Sequence, residues 1–228
     1  MSIKACVFDA YGTLFDVAAA ARNAAAQPGN ERLAESWPKL AEIWRLKQLE
    51  YSWLRAVADD YKPFWQVTQD GLDYAMEALE IDDASLRETL LGLYWELEAY
   101  PEVPAMLTAL KAAGLETSIL SNGSMDMLDG AVKSARIGDV LDSVLSVESV
   151  SVFKPHRSVY DLVGARHGTT PSEVAFFSSN CWDATHASAY GFQTVWVNRA
   201  GAPMDRVGAP PAHVVSDLSG VPGLVAGL

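Results

Sequence analysis

The chain has 228 residues, half of them hydrophobic, with 17 basic against 29 acidic side chains and a formal net charge of −12. That length suits one domain with a large core, or a core domain carrying a smaller insertion. No Lys/Arg run interrupts the acidic balance, which argues against nucleic acid and anionic membrane as partners, so any anion site must be built locally. The two cysteines, Cys6 and Cys181, show no metal or redox spacing, which fits a reducing compartment. Neither a basic, apolar secretory leader nor an apolar run of roughly 18 residues is present, so a soluble cytoplasmic protein is expected.

Near the start stands "KACVFDAYGTLFD", residues 4–16. Its apolar run Ala5-Cys6-Val7-Phe8 is short, lacks a helix-start signal and stops at a glycine-containing turn, which predicts a strand buried on both faces. Asp9 then stands at the strand's carboxyl end, the edge at which open α/β sheets bind ligands. Strand signals vanish over residues 16–98. The alanine-rich run at 18–26 reads as helical. Trp37, Ala41, Trp44, Gln48 and Tyr51 recur at helical steps, with Ser36 and Pro38 as a helix start, and two more helices are predicted near 68–80 and 83–98.

From residue 99 onward helix and strand alternate: helix 102–113 ending at Gly114, strand 115–121, helix 124–135, strand 143–147, helix 157–167, strand 174–179, helix 183–190 and strand 192–198. This rhythm predicts an α/β fold with a parallel-sheet core made of residues 1–15 and 99–228, and a helical cap inserted at 16–98.

Just past the predicted strands lie Asp9, then Ser121-Asn122-Gly123-Ser124, then Lys154-Pro155, then Ser178-Ser179-Asn180 with Asp183. Turns and helix caps favour the same residue types, so each cluster alone has an ordinary structural explanation. Four of them at one sheet edge, with a lysine and two acids, point to chemistry. The histidines His156, His167, His186 and His213 form no i,i+4 metal pair, and "SNGS" is not a nucleophile elbow.

The ordered motifs "FDAYGTLFD", "ILSNGS", "VFKP" with Tyr160 following in "HRSVYDL", and "SSNCWDAT", together with the helix "IWRLKQLEYSWLR", resemble the haloacid dehalogenase superfamily. Within it they are similar to the L-2-haloacid dehalogenase family, over nearly the whole chain. The resemblance implies a Rossmann-like (HAD-like) core with an inserted α-helical cap. It further implies hydrolysis of short-chain 2-haloalkanoic acids to 2-hydroxy acids with inversion, through an aspartyl ester, with no metal or cofactor.

In that scheme Asp9 is the nucleophile, and a carboxylate suits the task because it is ionised at neutral pH and divides one hard substitution into two easier steps. Lys154 is its counter-ion, Thr13, Ser178 and Asn180 orient it, and Asp183 activates the hydrolytic water. Ser121 and Asn122 would hold the substrate carboxylate near a helix N-terminus. Arg45 would assist with substrate charge and the departing halide, while Tyr11, Leu49, Phe64 and Trp182 would line the alkyl group, and Tyr160 joins the substrate-binding set. Plainer roles exist for several of these: Arg45 pairing with Glu42, Lys154 as a surface lysine, Asp183 as the cap of helix 183–190, and the aromatics as core.

Tyr11 stands where phosphatases of the superfamily carry a second aspartate to protonate a leaving oxygen, a proton that halide does not need. Ser178 and Ser179 interrupt the acidic pattern of metal-dependent members, leaving two acids where magnesium would want more oxygen ligands. Leu46 departs from a polar residue expected in some members, which bears on chain-length preference. Two other readings compete, a magnesium-dependent phosphatase and a catalytically silent binding protein on the same fold. The tryptophan-rich cap helix and the family habit predict a homodimer.

Overall fold

The computed structural model describes residues 2–17, 25 and 31–228, with backbone alone over 31–36. The predicted helix at 18–26 lies outside the described residues, apart from Ala25. Six parallel strands form one sheet: β1 (Ala5–Phe8), β2 (Glu116–Ser121), β3 (Ser143–Ser146), β4 (Val174–Ser178), β5 (Gln193–Val197) and β6 (His213–Val215), in the order β3-β2-β1-β4-β5-β6. Every residue of β1 and β4 is buried, which is why both read as continuous apolar runs without alternation. Phe8 and Phe177, paired in register, stack their rings at 4.7 Å.

The connection out of β1 leads to β2 on one side, and β4 takes the other, so the strand order reverses beside β1. In open α/β sheets the crevice outside the carboxyl ends at such a reversal is the place for ligands. Asp9 sits there, its backbone N–H donating to the Phe177 carbonyl at 2.8 Å.

Among the described residues three helices fill the region between β1 and the rest of the sheet: α1 (Glu31–Val57), α2 (Phe64–Ala78) and α3 (Ala84–Gly92), with a 3₁₀ turn at Leu93–Trp95. Pro38 lies inside α1 rather than at its start. A proline costs a helix one backbone donor, a loss that a helix of 27 residues can absorb. The buried stripe of α1 runs through Leu40, Trp44, Gln48 and Ser52. Two of those four are polar, which blurs the pattern in the sequence, yet both are satisfied. The Gln48 amide donates to Thr68 Oγ1 at 3.0 Å and accepts from Tyr94 at 3.1 Å, and Ser52 donates to the Gln48 carbonyl at 2.6 Å.

The chain leaves and rejoins the sheet region at one two-stranded seam. Phe15 and Ala99 form an antiparallel bridge, flanked by Asp16 N–H to Glu98 O and Tyr100 N–H to Leu14 O, each 2.9 Å.

The remaining helices are α4 (Val103–Ala112), α5 (Met125–Ala135), α6 (Arg157–His167), α7 (Cys181–Tyr190) and α8 (Val221–Val225). Helix α7 begins at Cys181, with Asn180 as its cap, so Asp183 belongs to the first turn and is not the cap. The helix expected near 68–80 starts earlier, at Phe64, and the one expected over 83–98 ends as an α-helix at Gly92. Strand β6 and helix α8 have no counterpart among the predicted elements. The first is a three-residue edge strand, and the second carries Pro222 and Gly223, which read as a turn. No helix among the described residues is long and apolar enough to cross a membrane.

His167 is buried at the far end of the sheet, its Nε2 2.8 Å from Ser118 Oγ and its Nδ1 3.8 Å from Glu116. Burial holds its pKa below the usual histidine value; Arg166 adds to the effect, while Glu116 and Asp142 oppose it. A depressed base stabilises the fold while neutral, and that contribution is lost as pH falls from the unfolded value of about 6.5 through the lower folded one. The urea midpoint should therefore drop between about pH 7.5 and 5.5, and His167→Gln should flatten that drop by up to one proton. An unchanged slope in the variant would remove His167 as the cause.

Candidate active site

Past β1 the chain folds into a tight turn in which the N–H groups of Thr13, Leu14 and Phe15 converge on the Ala10 carbonyl. Gly12 makes the turn possible, with φ of +80°, and a Cβ there would lie 3.0 Å from Ser179 Oγ. The turn thereby brings Thr13 under the Asp9 carboxylate and against the loop after β4.

Asp9 is surrounded by donors. Thr13 Oγ1 and Asn180 Nδ2 each donate to Oδ2 at 3.0 Å, and Lys154 Nζ reaches Oδ1 at 3.2 Å. Lys154 is 1% exposed and also donates to Asp183 Oδ2 at 2.8 Å, while Tyr160 donates to Asp183 Oδ1 at 2.9 Å. A buried ammonium thus lies between two buried carboxylates, 145 and 29 residues away in sequence. Burial works against the charge of Lys154, but Asp183 and Asp9 outweigh it and hold its pKa above the ordinary lysine value. For Asp183 burial pushes upward and the nearby Asp9 charge adds to it, against the pull of Lys154 and the Tyr160 hydroxyl. Burial likewise keeps Tyr160 protonated, so it remains a donor.

The other predicted residues fall into distinct positions. Ser178 is fully buried and accepts from the Asn180 N–H at 3.2 Å, shaping the loop rather than touching Asp9. Asn122 Oδ1 accepts from the Lys154 backbone N–H at 2.9 Å, and Ser121 Oγ accepts from Gly123 N–H at 3.0 Å. At the start of α5 the Met125 N–H already donates to Glu148, so a carboxylate from the protein itself serves that helix terminus. Arg45 does not pair with Glu42, which is bridged to Lys39; the Arg45 Nη2 donates to Asn180 Oδ1 at 3.0 Å, joining α1 to Asp9 through one amide.

Tyr11 is buried against Phe64 at 6.3 Å and Tyr94 at 5.9 Å, and a Cβ on Gly123 would come within 2.9 Å of its ring. Phe64 packs also on Phe153, and Trp182 on Trp53 at 5.3 Å, while Leu49 is half-buried on α1. Beside Asp9 opens a cavity of about 300 Å³ that shares Tyr11, Gly12, Ser179 and Asn180 with the surroundings of that carboxylate and includes Arg45. Leu49, Phe64 and Trp182 lie outside it. Its apolar wall comes instead from Trp44 on α1 and from Leu90, Leu93 and Tyr94, which no local pattern connects to Asp9. Ser179 is the polar residue that sequence reasoning left without a role; its hydroxyl lies 3.1 Å from the Thr13 hydroxyl and its backbone N–H donates to Thr13 Oγ1 at 2.8 Å.

A family model for haloacid dehalogenase-like hydrolases matches residues 3–191. Over 224 residues the chain is 44% identical to an (S)-2-haloacid dehalogenase of Pseudomonas sp. strain CBS-3, covering 98% of this chain and 96% of that one. The chain belongs to the L-2-haloacid dehalogenase family of these hydrolases. It is also 42% identical to (S)-2-haloacid dehalogenase 4A of Burkholderia cepacia, over 96% of this chain and 93% of that one. Its fold matches that of the L-2-haloacid dehalogenase of Xanthobacter autotrophicus with chloropropionic acid covalently bound, at a TM-score of 0.87 and 38% identity, covering 99% of each chain.

The charge arrangement has a stability consequence. Lys154→Met would leave Asp9 and Asp183 buried without their cation, a loss of about 3–5 kcal/mol in unfolding free energy. Adding Asp183→Asn should recover part of it by deleting one of the two repelling charges. Urea unfolding of the single and double variants checks this, and a double variant less stable than Lys154→Met alone would contradict it.

Proposed function

We propose that the protein hydrolyses short-chain (S)-2-haloalkanoic acids to 2-hydroxy acids of inverted configuration, through an ester on Asp9 and without a metal. The observation that carries this reading is the Asp9–Lys154–Asp183 line, an oriented nucleophile, its counter-ion and a buried base within hydrogen-bond reach of one another. The names of the relatives agree with it, as does the covalently bound chloropropionic acid of the Xanthobacter enzyme.

In the first step an Asp9 oxygen attacks the α-carbon, a C–O bond forms as the carbon–halogen bond breaks, and the halide leaves with the bonding pair. Thr13, Asn180 and Lys154 keep the carboxylate aimed. In the second, Asp183 takes a proton from water as the water attacks the ester carbonyl, restoring Asp9 and releasing the hydroxy acid; the proton passes on to solvent. The Asp183 pKa, raised by burial, brings its basicity toward neutral pH. Lys154 already fills the point between the two acids where a divalent cation would need oxygen ligands, and Ser179 supplies no charge to a third position.

Arg45, held through Asn180, steadies the departing halide, and the Ser121–Asn122 turn receives the substrate carboxylate. Tyr11 and Phe64, with Leu49 and Trp182, form the wall against a short alkyl group, and Ser178 holds the loop that carries Asn180. Tyr160 contributes by fixing Asp183. In this reading residues 1–15 and 99–228 are the catalytic core and 16–98 the cap, joined at the Phe15–Ala99 seam.

The protein works in the cytoplasm as a homodimer, without nucleic acid or membrane partners. The net charge of −12 supports the exclusions, and both free, buried cysteines suit a reducing compartment. The exposed Leu46, Leu54 and Val57 on one side of α1 offer an apolar face to a second copy.

Halide release from (S)-2-chloropropanoate should persist in EDTA and vanish in Asp9→Asn, while Asp183→Asn should trap the ester as added mass on the Asp9 peptide. Absence of halide from either enantiomer would sink the reading. Light scattering should give twice the chain mass of 24.6 kDa, and a monomer would remove the dimer.

A further inference from the structure

The cavity beside Asp9 is far larger than a short haloacid requires. Its volume of about 300 Å³ equals roughly ten waters of liquid, and it lies within the size range of drug-sized ligand pockets. Its polar groups on the Asp9 side are the Arg45 guanidinium, the Asn180 amide and the Ser179 hydroxyl, and the Asp16 carboxylate also lines it. The wall is apolar and partly aromatic, built from Trp44, Leu90, Leu93 and Tyr94. Trp44 and Tyr94 pack edge-on at 5.2 Å, and both are anchored, Trp44 by donating to the Thr68 carbonyl at 2.8 Å and Tyr94 by donating to Gln48. Such a wall keeps its shape without a ligand. With the substrate carboxylate held at the Ser121–Asn122 turn, this rigid apolar body is complementary to a bulky apolar substituent.

The connection to the chemistry is direct, because Asn180 donates to Asp9, accepts from Arg45 and borders the cavity. Tyr11 borders it too, so a substituent on the reacting carbon that grows past the Tyr11 ring enters this space. We propose that the cavity is a specificity subsite for the substituent of larger 2-halo acids, those bearing an arylmethyl or medium-length alkyl group, which extends the substrate class beyond short chains. This rests on the dehalogenase reading for turnover but not for binding. The residues that set the limit are Ala41, whose small side chain on α1 leaves the space open, and Leu93 on the opposite wall.

The wild type should release bromide from (S)-2-bromo-3-phenylpropanoate, and KM should fall about fourfold for each methylene added across a homologous alkyl series until the space is filled. Ala41→Phe and Leu93→Trp, which fill the cavity from opposite walls, should cut kcat/KM for the phenyl substrate at least about tenfold while leaving (S)-2-chloropropanoate within about twofold. Calorimetry with 3-phenylpropanoate, which has no halogen to lose, should show binding tighter than that of propanoate in the wild type and not in the filled variants. No turnover of the phenyl substrate alongside normal turnover of chloropropanoate would overturn the subsite, as would equal losses on both substrates in both variants. No turnover of chloropropanoate would overturn the dehalogenase reading instead, and the calorimetric comparison would then decide the subsite by itself.

Discussion

Two carboxylates buried a few ångströms apart repel each other strongly in a low-dielectric interior, and this fold holds them there because Lys154 stands between them. Everything around the site serves that arrangement. The Asn122 amide oxygen holds the Lys154 backbone, Tyr160 supplies the remaining donor to Asp183, and Thr13 and Asn180 supply those of Asp9. Each acid oxygen therefore has a partner before any substrate arrives. In the proposed reaction, a carboxylate kept in that state needs little reorganisation when attack begins.

The same donors join parts of the chain that are remote in sequence. Asp9 and Thr13 come from the turn after β1, Asn180 and Asp183 from the start of α7, and Lys154 from the loop preceding α6. The parallel sheet brings these together because all its strands present their carboxyl ends on one edge, with β2 and β4 flanking β1. Arg45 is the reach of the helical region into this edge, and its bond to Asn180 makes one amide common to Asp9 and α1. The Phe15–Ala99 seam sets how α1 is carried over the site. The cavity of about 300 Å³ lies against α1 where Trp37, Ala41 and Trp44 face it.

Much of this was legible in the sequence. The β1 run announces itself because a strand buried on both faces has no polar alternation, and Asp9 follows it directly. The motif residues at the ends of β2 and β4 and the lysine of "VFKP" carry the family resemblance, and the structure brings Asp9, Thr13, Lys154, Asn180, Asp183 and Tyr160 into one hydrogen-bonded group. Local rules misled at Pro38, where a start signal is absorbed into a longer helix, and at Asp183, where the cap lies three residues earlier. They were silent on β6 and α8, which are too short to show a period.

The sequence by itself determined the alternating α/β order, the acid at the end of the first strand and the identity of the charged groups, because each depends on nearest neighbours or on motif order. Only the tertiary structure decided which oxygen meets which donor, that Ser178 and Asn122 support loops while Ser179 meets Thr13, and that Arg45 reaches Asn180 rather than Glu42. It alone decided that Leu90, Leu93 and Tyr94 wall a cavity beside Asp9. Apart from the Ser178–Asn180 contact, those relations join residues tens to more than a hundred positions apart, and they are set by how helices pack over a sheet edge, a geometry that no local period encodes.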